Sequence, residues 1–346
     1  MALCHKIMID YREYGTSPDE PTLEKLLKAE PKVQEEFMCA AGTLGMLGLH
    51  EQALEHLLRL MDFQPNNREY LHNLAVCHYN CGSCDKALAV WTKLQKLYPM
   101  SVVADYYVEV ADAAIKNGRT ESVGYGYAIP LDVFMERFSR LSAGGNDDEF
   151  LKYLYYAVQT LPVPFQTMAV TNSIRIRSAK KAKMFLHELL FYPRVDETVK
   201  SYAKVYLELG GEYFDHYAAS ADGVSMIPSP VTDPGDIVPY TQIVWLILGG
   251  IDAVSRLKEQ QRAVAALRMY MLAIKKSGAR LSFGGMESAF AAALEYVSSE
   301  KRAEITQADM ISKYHTTVYR FKKALDSINQ TLSNAREGNG DEQHAY

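Results

Sequence analysis

The sequence predicts an all-α protein: a short helical-repeat solenoid, a helical middle region with one small β-hairpin, and a C-terminal domain of five helices. Three observations carry this. Near the N-terminus the chain repeats itself at an offset of 34 residues. Beyond the repeats, apolar residues recur at helical spacing, and the strongest strand-pairing signal is a single Asp222-Gly223 step flanked by alternating bulky residues. Four of the 13 prolines fall between Pro228 and Pro239, which marks a linker ahead of the last helices.

The repeat aligns the segment from Gln34 with the segment from Arg68. Phe37 pairs with Leu71, Ala41 with Ala75, Gly48 with Gly82, Ala53 with Ala87, Leu57 with Trp91, and Pro65 with Pro99. The small residues suit the crossing of two packed helices, the glycine turns the chain between them, and the proline ends the second helix. A third copy begins at Ser101 but is stopped by Asn117-Gly118, so it reads as a capping helix. Upstream, Pro18 and Pro21 introduce a short helix, TLEKLLKAE, that would cap the other end. These units resemble the tetratricopeptide repeat. The resemblance implies a concave groove lined from the first helix of each unit, by Glu35, Met38, Gly42 and Gly45, then Glu69, His72, Val76 and Tyr79, with Val103, Tyr106 and Val110 continuing the wall. Met38, His72, Val76, Tyr79, Val103, Tyr106 and Val110 are the expected peptide contacts, a mixture suited to an apolar peptide or a helix laid in a groove. An open groove requires Tyr79 and Tyr106 to be at least partly exposed. The alternative is that so short a solenoid packs the groove against its own middle region.

In that middle region, Ile129-Pro130 starts a helix, Asn146 with three following acidic residues caps another, and Pro162 and Pro164 separate it from the next. The stretches KKAKMFLHELLFYP and DETVKSYAKVYLELGG then form a pair resembling one HEAT-like repeat. After the linker come five helical segments: Tyr240 to Lys258, Glu259 to Lys276, Gly285 to Ser299, Ile305 to Tyr314, and Thr317 to Thr331. Their order resembles the cyclin-like domain of transcription factor IIB, most closely over residues 282–328, and the end looks like a helix-turn-helix, with His315 where that motif ordinarily carries glycine. The expected organisation is therefore a repeat domain over 1–120, a HEAT-like region over 121–227, a linker over 228–239, a cyclin-like domain over 240–332 and a disordered tail over 333–346. The whole arrangement resembles a group of tetratricopeptide-repeat proteins of Gram-positive bacteria, with which no general activity comes.

Composition bounds the function. Among 346 residues, 48% are hydrophobic, and 37 basic residues against 42 acidic give a net charge of −5, which excludes a globally cationic nucleic-acid binder. Five cysteines, three of them crowded together, fit a reducing compartment better than a disulfide framework. The longest apolar run, Ile243 to Ile251, is short of the ~20 residues that span a bilayer. The expected setting is cytoplasmic, with no membrane partner.

Chemistry-bearing motifs are few. Cys77-x-x-x-Cys81-x-x-Cys84 has the spacing by which radical S-adenosylmethionine enzymes hold an iron–sulfur cluster, but those enzymes place it after a strand of a β/α barrel and this chain has no alternating βα pattern. Inter-helix packing is the expected role of the three thiols. The nine histidines read as structural or solvent-facing, and no nucleotide loop or hydrolase motif is present. The run Arg175, Arg177, Lys180, Lys181 and Lys183 could touch phosphates or be a solvated face. The terminal helix-turn-helix offers Thr317 as N-cap, Tyr319, Arg320 and Lys323 facing outward, and Val318, Phe321 and Leu325 packing inward. No catalytic residue, metal, cofactor or small-molecule substrate is expected. The expected function is a non-enzymatic adaptor that binds another protein through the repeat groove; the alternative is a DNA-binding regulator acting through the terminal motif.

Overall fold

The computed structural model describes residues 1–118, 121–231, 234–251, 256–278, 283, 285–300 and 305–340. Over these the chain is predominantly helical, with 17 α-helices and one two-stranded antiparallel hairpin, and it divides into two compact units, Met1–Ala143 and Gly144–Tyr346. No helix among the described residues is long and apolar enough to cross a membrane.

The first unit contains α1 (Ala2–Tyr14), α2 (Glu20–Leu27), α3 (Gln34–Met46), α4 (His50–Phe63), α5 (Arg68–Asn80), α6 (Cys84–Leu97), α7 (Val102–Asn117) and α8 (Leu131–Ser142). The two sequence repeats are the pairs α3–α4 and α5–α6, and they are built alike. Gly48 and Gly82 both take the left-handed conformation, at φ 78° and 82°. Beside them, Leu49 N–H donates to Leu44 C=O at 2.9 Å and Ser83 N–H to His78 C=O at 2.8 Å, the same C-terminal cap in both units. Ala41, Ala53, Ala75 and Ala87 are all buried at the crossings, where a larger side chain would hold the helices apart. From α3 to α7 each helix packs on the next, and α1 packs on α3, placing Cys4 and Ile7 in one cluster with Leu26, Leu44 and Leu57. The unit runs on to Ala143 rather than ending near residue 120, because α8 returns to α7. Arg137 pairs with Glu109 at 2.7 Å and lies over the Tyr106 ring.

The second unit contains α9 (Asp147–Thr160), α10 (Val163–Asn172), α11 (Ala179–Leu190), α12 (Glu197–Leu209), β1 (His216–Ser220), β2 (Gly223–Ile227), α13 (Ile237–Gly250), α14 (Leu257–Lys276), α15 (Glu287–Ser298), α16 (Gln307–Lys313) and α17 (Val318–Gly340). Asn146 caps α9 by accepting from the N–H groups of Asp148 and Glu149. The hairpin turns at Ala221-Asp222, with Ser220 opposite Gly223. Every residue from Ala289 to Glu295 of α15 is buried, and the helix packs on α13, α14, α16 and α17, as a helix of mostly small apolar residues can when it is surrounded. Glu295 within it is matched by Arg256 at 2.7 Å, Lys313 at 2.8 Å and the Tyr314 hydroxyl at 2.7 Å. Tyr314 reaches this place over Gly250, where a Cβ would lie 2.2 Å from its hydroxyl oxygen.

Three boundaries differ from expectation. The proline-rich segment from 228 is packed rather than a free linker: Ser229 and Val231 are buried, Ser229 N–H donates to Asp215 at 2.8 Å, and Arg268 donates to the Pro228 carbonyl at 2.8 Å. Proline lacks an N–H, so its carbonyl is the main polar group such a segment must satisfy. The helix expected over Tyr240 to Lys258 ends at Gly250, and the next, expected from Glu259, begins at Leu257; 252–255 lie outside the described residues. Residues 333–340, expected to be an irregular tail, belong to α17; 341–346 lie outside the described residues.

A buried carboxylate joins the parts on either side of the prolines. Glu208 of α12 meets Arg268 of α14 and the Tyr240 hydroxyl of α13, each at 2.5 Å. Lys204 stands 3.3 Å from its other oxygen without hydrogen-bond geometry. Arg268→Met is expected to cost about 3 kcal/mol, the low end for stranding a buried charge because Lys204 still faces it. The shift of the urea midpoint measures this; a loss under about 1 kcal/mol would show that Glu208 does not depend on Arg268.

Candidate functional site

The face formed by α3, α5 and α7 is occupied by the chain itself. Residues 121–130, ahead of α8, run back across it as an irregular segment that bends at Tyr125–Tyr127, where the Ala128 N–H donates to the Gly126 carbonyl at 2.8 Å. Asn80 clamps its backbone from both sides, donating to the Val123 carbonyl at 2.9 Å and accepting from the Val123 N–H at 2.8 Å. Two turns earlier on the same helix, Asn73 accepts from the Gly126 N–H at 3.2 Å, and Tyr107 of α7 donates to the Ala128 carbonyl at 3.2 Å. These bonds satisfy backbone groups of a non-helical segment without reading its side chains.

Two tyrosines of the segment enter pockets. Tyr125 lies on Gly45, where a Cβ would stand 2.5 Å from its ring, so only glycine leaves room there. Its hydroxyl is 2.7 Å from His50 Nδ1 and 3.0 Å from Cys77 Sγ, and its ring stacks on His50. Burial pushes the Tyr125 phenol well above its ordinary range and the Cys77 thiol up to about 11, so both stay protonated at neutral pH. Tyr127 hydrogen-bonds Ser101, lies under the Arg68 guanidinium at 5.2 Å and meets His72 edge-on at 5.7 Å.

The residues expected to line an open groove are distributed otherwise. His72, Val76 and Val103 are fully buried, and Met38, Tyr106 and Val110 are half-buried. Tyr79 is 4% exposed, against the exposure an open groove requires, because its ring faces Trp91 of α6 at 6.0 Å. The residues that grip the segment stand one position round the helix, at Asn73, Cys77 and Asn80. Two carboxamides seven residues apart on the first helix of a repeat were the available sequence signal.

At the other end, Thr317, Tyr319, Arg320 and Lys323 are all exposed, and the Thr317 hydroxyl accepts from the Arg320 N–H at 3.3 Å as an N-cap. Phe321 and Leu325 are buried as expected, but Val318 is 56% exposed: the inward stripe of α17 starts at Phe321 and continues through Ala324 and Ile328. His315 takes the positive φ, 50°, that its turn imposes. In the basic run, Lys181 pairs with Asp148 at 2.5 Å, Lys183 lies 3.4 Å from Glu212, and Arg177 donates to the Gly144 carbonyl, so much of it is engaged within the unit. Cys77 is buried under Tyr125, Cys84 is half-buried and Cys81 is exposed. The second unit also holds a largely apolar cavity of about 420 Å3 between α12 and α14, lined by Tyr202, Val205, Ile227, Ala265 and Leu272.

His72 couples this site to pH. It accepts from the Trp91 indole N–H through Nδ1 at 3.2 Å, and its Nε2 has no hydrogen-bond partner among the described residues. Burial lowers its pKa to about 4, with the Gly126 backbone offsetting part of the effect. The folded pKa lies below the unfolded value of about 6.5, so the unfolded chain takes the proton first and stability falls as pH drops from about 6.5 to 4. The loss from this one group is about 3 kcal/mol, and urea midpoints at stepped pH should show His72→Gln losing less than the wild type over that window. Parallel curves would place the pH dependence elsewhere.

No family model matches the chain, and neither a curated protein nor a solved structure does.

Proposed function

We propose that this chain is a non-enzymatic adaptor whose tetratricopeptide-type groove binds another protein through a tyrosine-bearing peptide, in competition with its own residues 123–128. One observation carries the reading: the groove already holds a non-helical segment by means that would serve a foreign peptide, namely carboxamide clamps on the backbone and pockets for alternate aromatic side chains. The clamps are indifferent to sequence; space beside Gly124 and Gly126 is open, and the positive φ of Gly126, 114°, is what favours glycine between the two tyrosines. Five unbridged cysteines suit a cytoplasmic setting. The surrounded α15 supports reading α13 to α17 as a cyclin-like domain that presents the adaptor to a second partner.

The test replaces residues 123–128 by a Gly-Ser stretch of equal length and measures binding of a labelled peptide, Ser-Val-Gly-Tyr-Gly-Tyr-Ala. The opened variant is expected to bind at least thirtyfold more tightly than the wild type, because one displaced aromatic anchor is worth ~2 kcal/mol. Adding Asn80→Ala should remove that binding. If the opened variant folds and ignores the peptide, or unfolds and is not restored by it, the segment is merely core and the reading fails.

A second reading, a DNA-binding regulator, is favoured by one observation: the four side chains expected to meet DNA are all exposed at the start of α17. On this reading, affinity for a selected duplex falls steeply with salt, and Arg320→Ala with Lys323→Ala lowers the slope of log K against log salt by about 2. Failure to enrich any sequence from a random duplex library at low salt removes it.

A further inference from the structure

Beyond the groove, three side chains from separate elements of the second unit converge on one point. His187 of α11, Glu212 just after α12 and His216 at the start of β1 hold one potential ligand atom each, all within 4.8 Å of one another. Glu212 Oε2 is 2.8 Å from His187 Nε2 and 3.2 Å from His216 Nε2. A metal at about 2.0–2.2 Å from each ligand, with tetrahedral angles, places ligand atoms about 3.3–3.5 Å apart. The His216–Glu212 separation is close to this, the His187–Glu212 pair must part by about half an ångström, and the two imidazoles must draw together. Their rings stack at 5.2 Å and 26°. His187 is 39% exposed and can make that movement, whereas His216 is 5% exposed and fixed.

The backbone delivers Glu212 deliberately to this place. Gly211 takes φ 95°, and the Glu212 N–H donates to the Leu207 carbonyl at 3.0 Å, closing α12 and turning the chain back over α11. There Lys183, one turn before His187, lies 3.4 Å from the other Glu212 oxygen and fixes the carboxylate. The surroundings of His216 supply the second requirement of a metal histidine, a partner for its far nitrogen: Nδ1 is 3.0 Å from the Phe214 carbonyl. Without an ion, the imidazole Nε2–H groups donate to Glu212 and Lys204 donates to His216 Nδ1 at 2.8 Å. With one, His216 changes tautomer: Nδ1–H donates to the Phe214 carbonyl and Nε2 offers its lone pair. The proton count of that ring is unchanged; Lys204, no longer able to donate to Nδ1, moves off it while keeping the Phe214 carbonyl and its buried neighbour Glu208. Phe214 stacks on His216 at 4.5 Å and covers the ring.

We infer that His187, Glu212 and His216 bind one divalent transition-metal ion of the zinc class, through two imidazole Nε2 atoms and one carboxylate oxygen. Two nitrogens and one oxygen suit zinc, cobalt or ferrous iron rather than calcium or magnesium, and three protein ligands leave a fourth position for water. The ion clamps the hairpin to the α11–α12 pair. Glu212 and His216 are four residues apart in sequence, but the turn between them and the distant His187 hid the set from sequence reading.

The test uses the full chain, stripped with a chelator and titrated with Zn2+ or Co2+. One equivalent per chain is expected by elemental analysis. His187→Ala and Glu212→Gln should each weaken zinc binding by more than the roughly 100-fold upper cost of losing an outer-shell partner, while Cys81→Ser should not. X-ray absorption at the zinc edge of the wild type, which needs no variant to fold, should show nitrogen and oxygen neighbours only. No stoichiometric binding, sulfur in the first shell, or unchanged affinity in both ligand variants would overturn the assignment.

Discussion

A non-helical segment laid on a helical face carries backbone donors and acceptors that its own hydrogen bonding does not satisfy, and the first unit is arranged around that constraint. The α3, α5 and α7 face is apolar and needs covering. Helices cannot cover it from within so short a solenoid, so a connecting segment does, and its polar backbone must then be met. Asn80 and Asn73 meet it, Gly45 makes the space, and Tyr107 takes the last carbonyl. The same segment explains why α7 and α8 are so far apart in sequence while Arg137 still reaches Glu109.

The second unit solves a different problem with buried charge. Glu208 and Glu295 are both fully buried, and each gathers partners from several helices. Burying an ion pair contributes little net stability over an apolar contact. Its value lies in register: a carboxylate that must meet one arginine and one tyrosine hydroxyl fixes how α12, α13 and α14 pack, where a set of interchangeable apolar contacts would tolerate sliding.

Much of this was legible in the sequence. The 34-residue register, with Gly48 and Gly82 at matching turns and alanines at matching crossings, is local information, and the helix pairs sit where it put them. The Asn146 cap and the hairpin around Asp222-Gly223 are equally local. What was illegible depends on distant partners. The proline-rich segment looked like a linker because nothing in it shows that Arg268 and Asp215 will hold it. Tyr79 looked like a groove residue because helical position is known only to within one residue without a partner surface, and that one residue exchanges it for Asn80. Residues 333–340 looked like a tail because glycine and polar composition weigh against a helix, yet α17 continues through them. His187 could not be joined to Glu212 until α11 and α12 were seen to pack.

The occupant of the groove is held at both ends by helices, so it never diffuses away. A segment tethered this closely competes at an effective concentration on the order of millimolar, whatever the dilution of the protein. On the adaptor reading, a free peptide with the same contacts would meet a site open only part of the time, and its apparent affinity would be reduced by that fraction. On the adaptor reading we propose, selection would fall on ligands that carry a second point of attachment, since only those could match the standing concentration of Tyr125 and Tyr127.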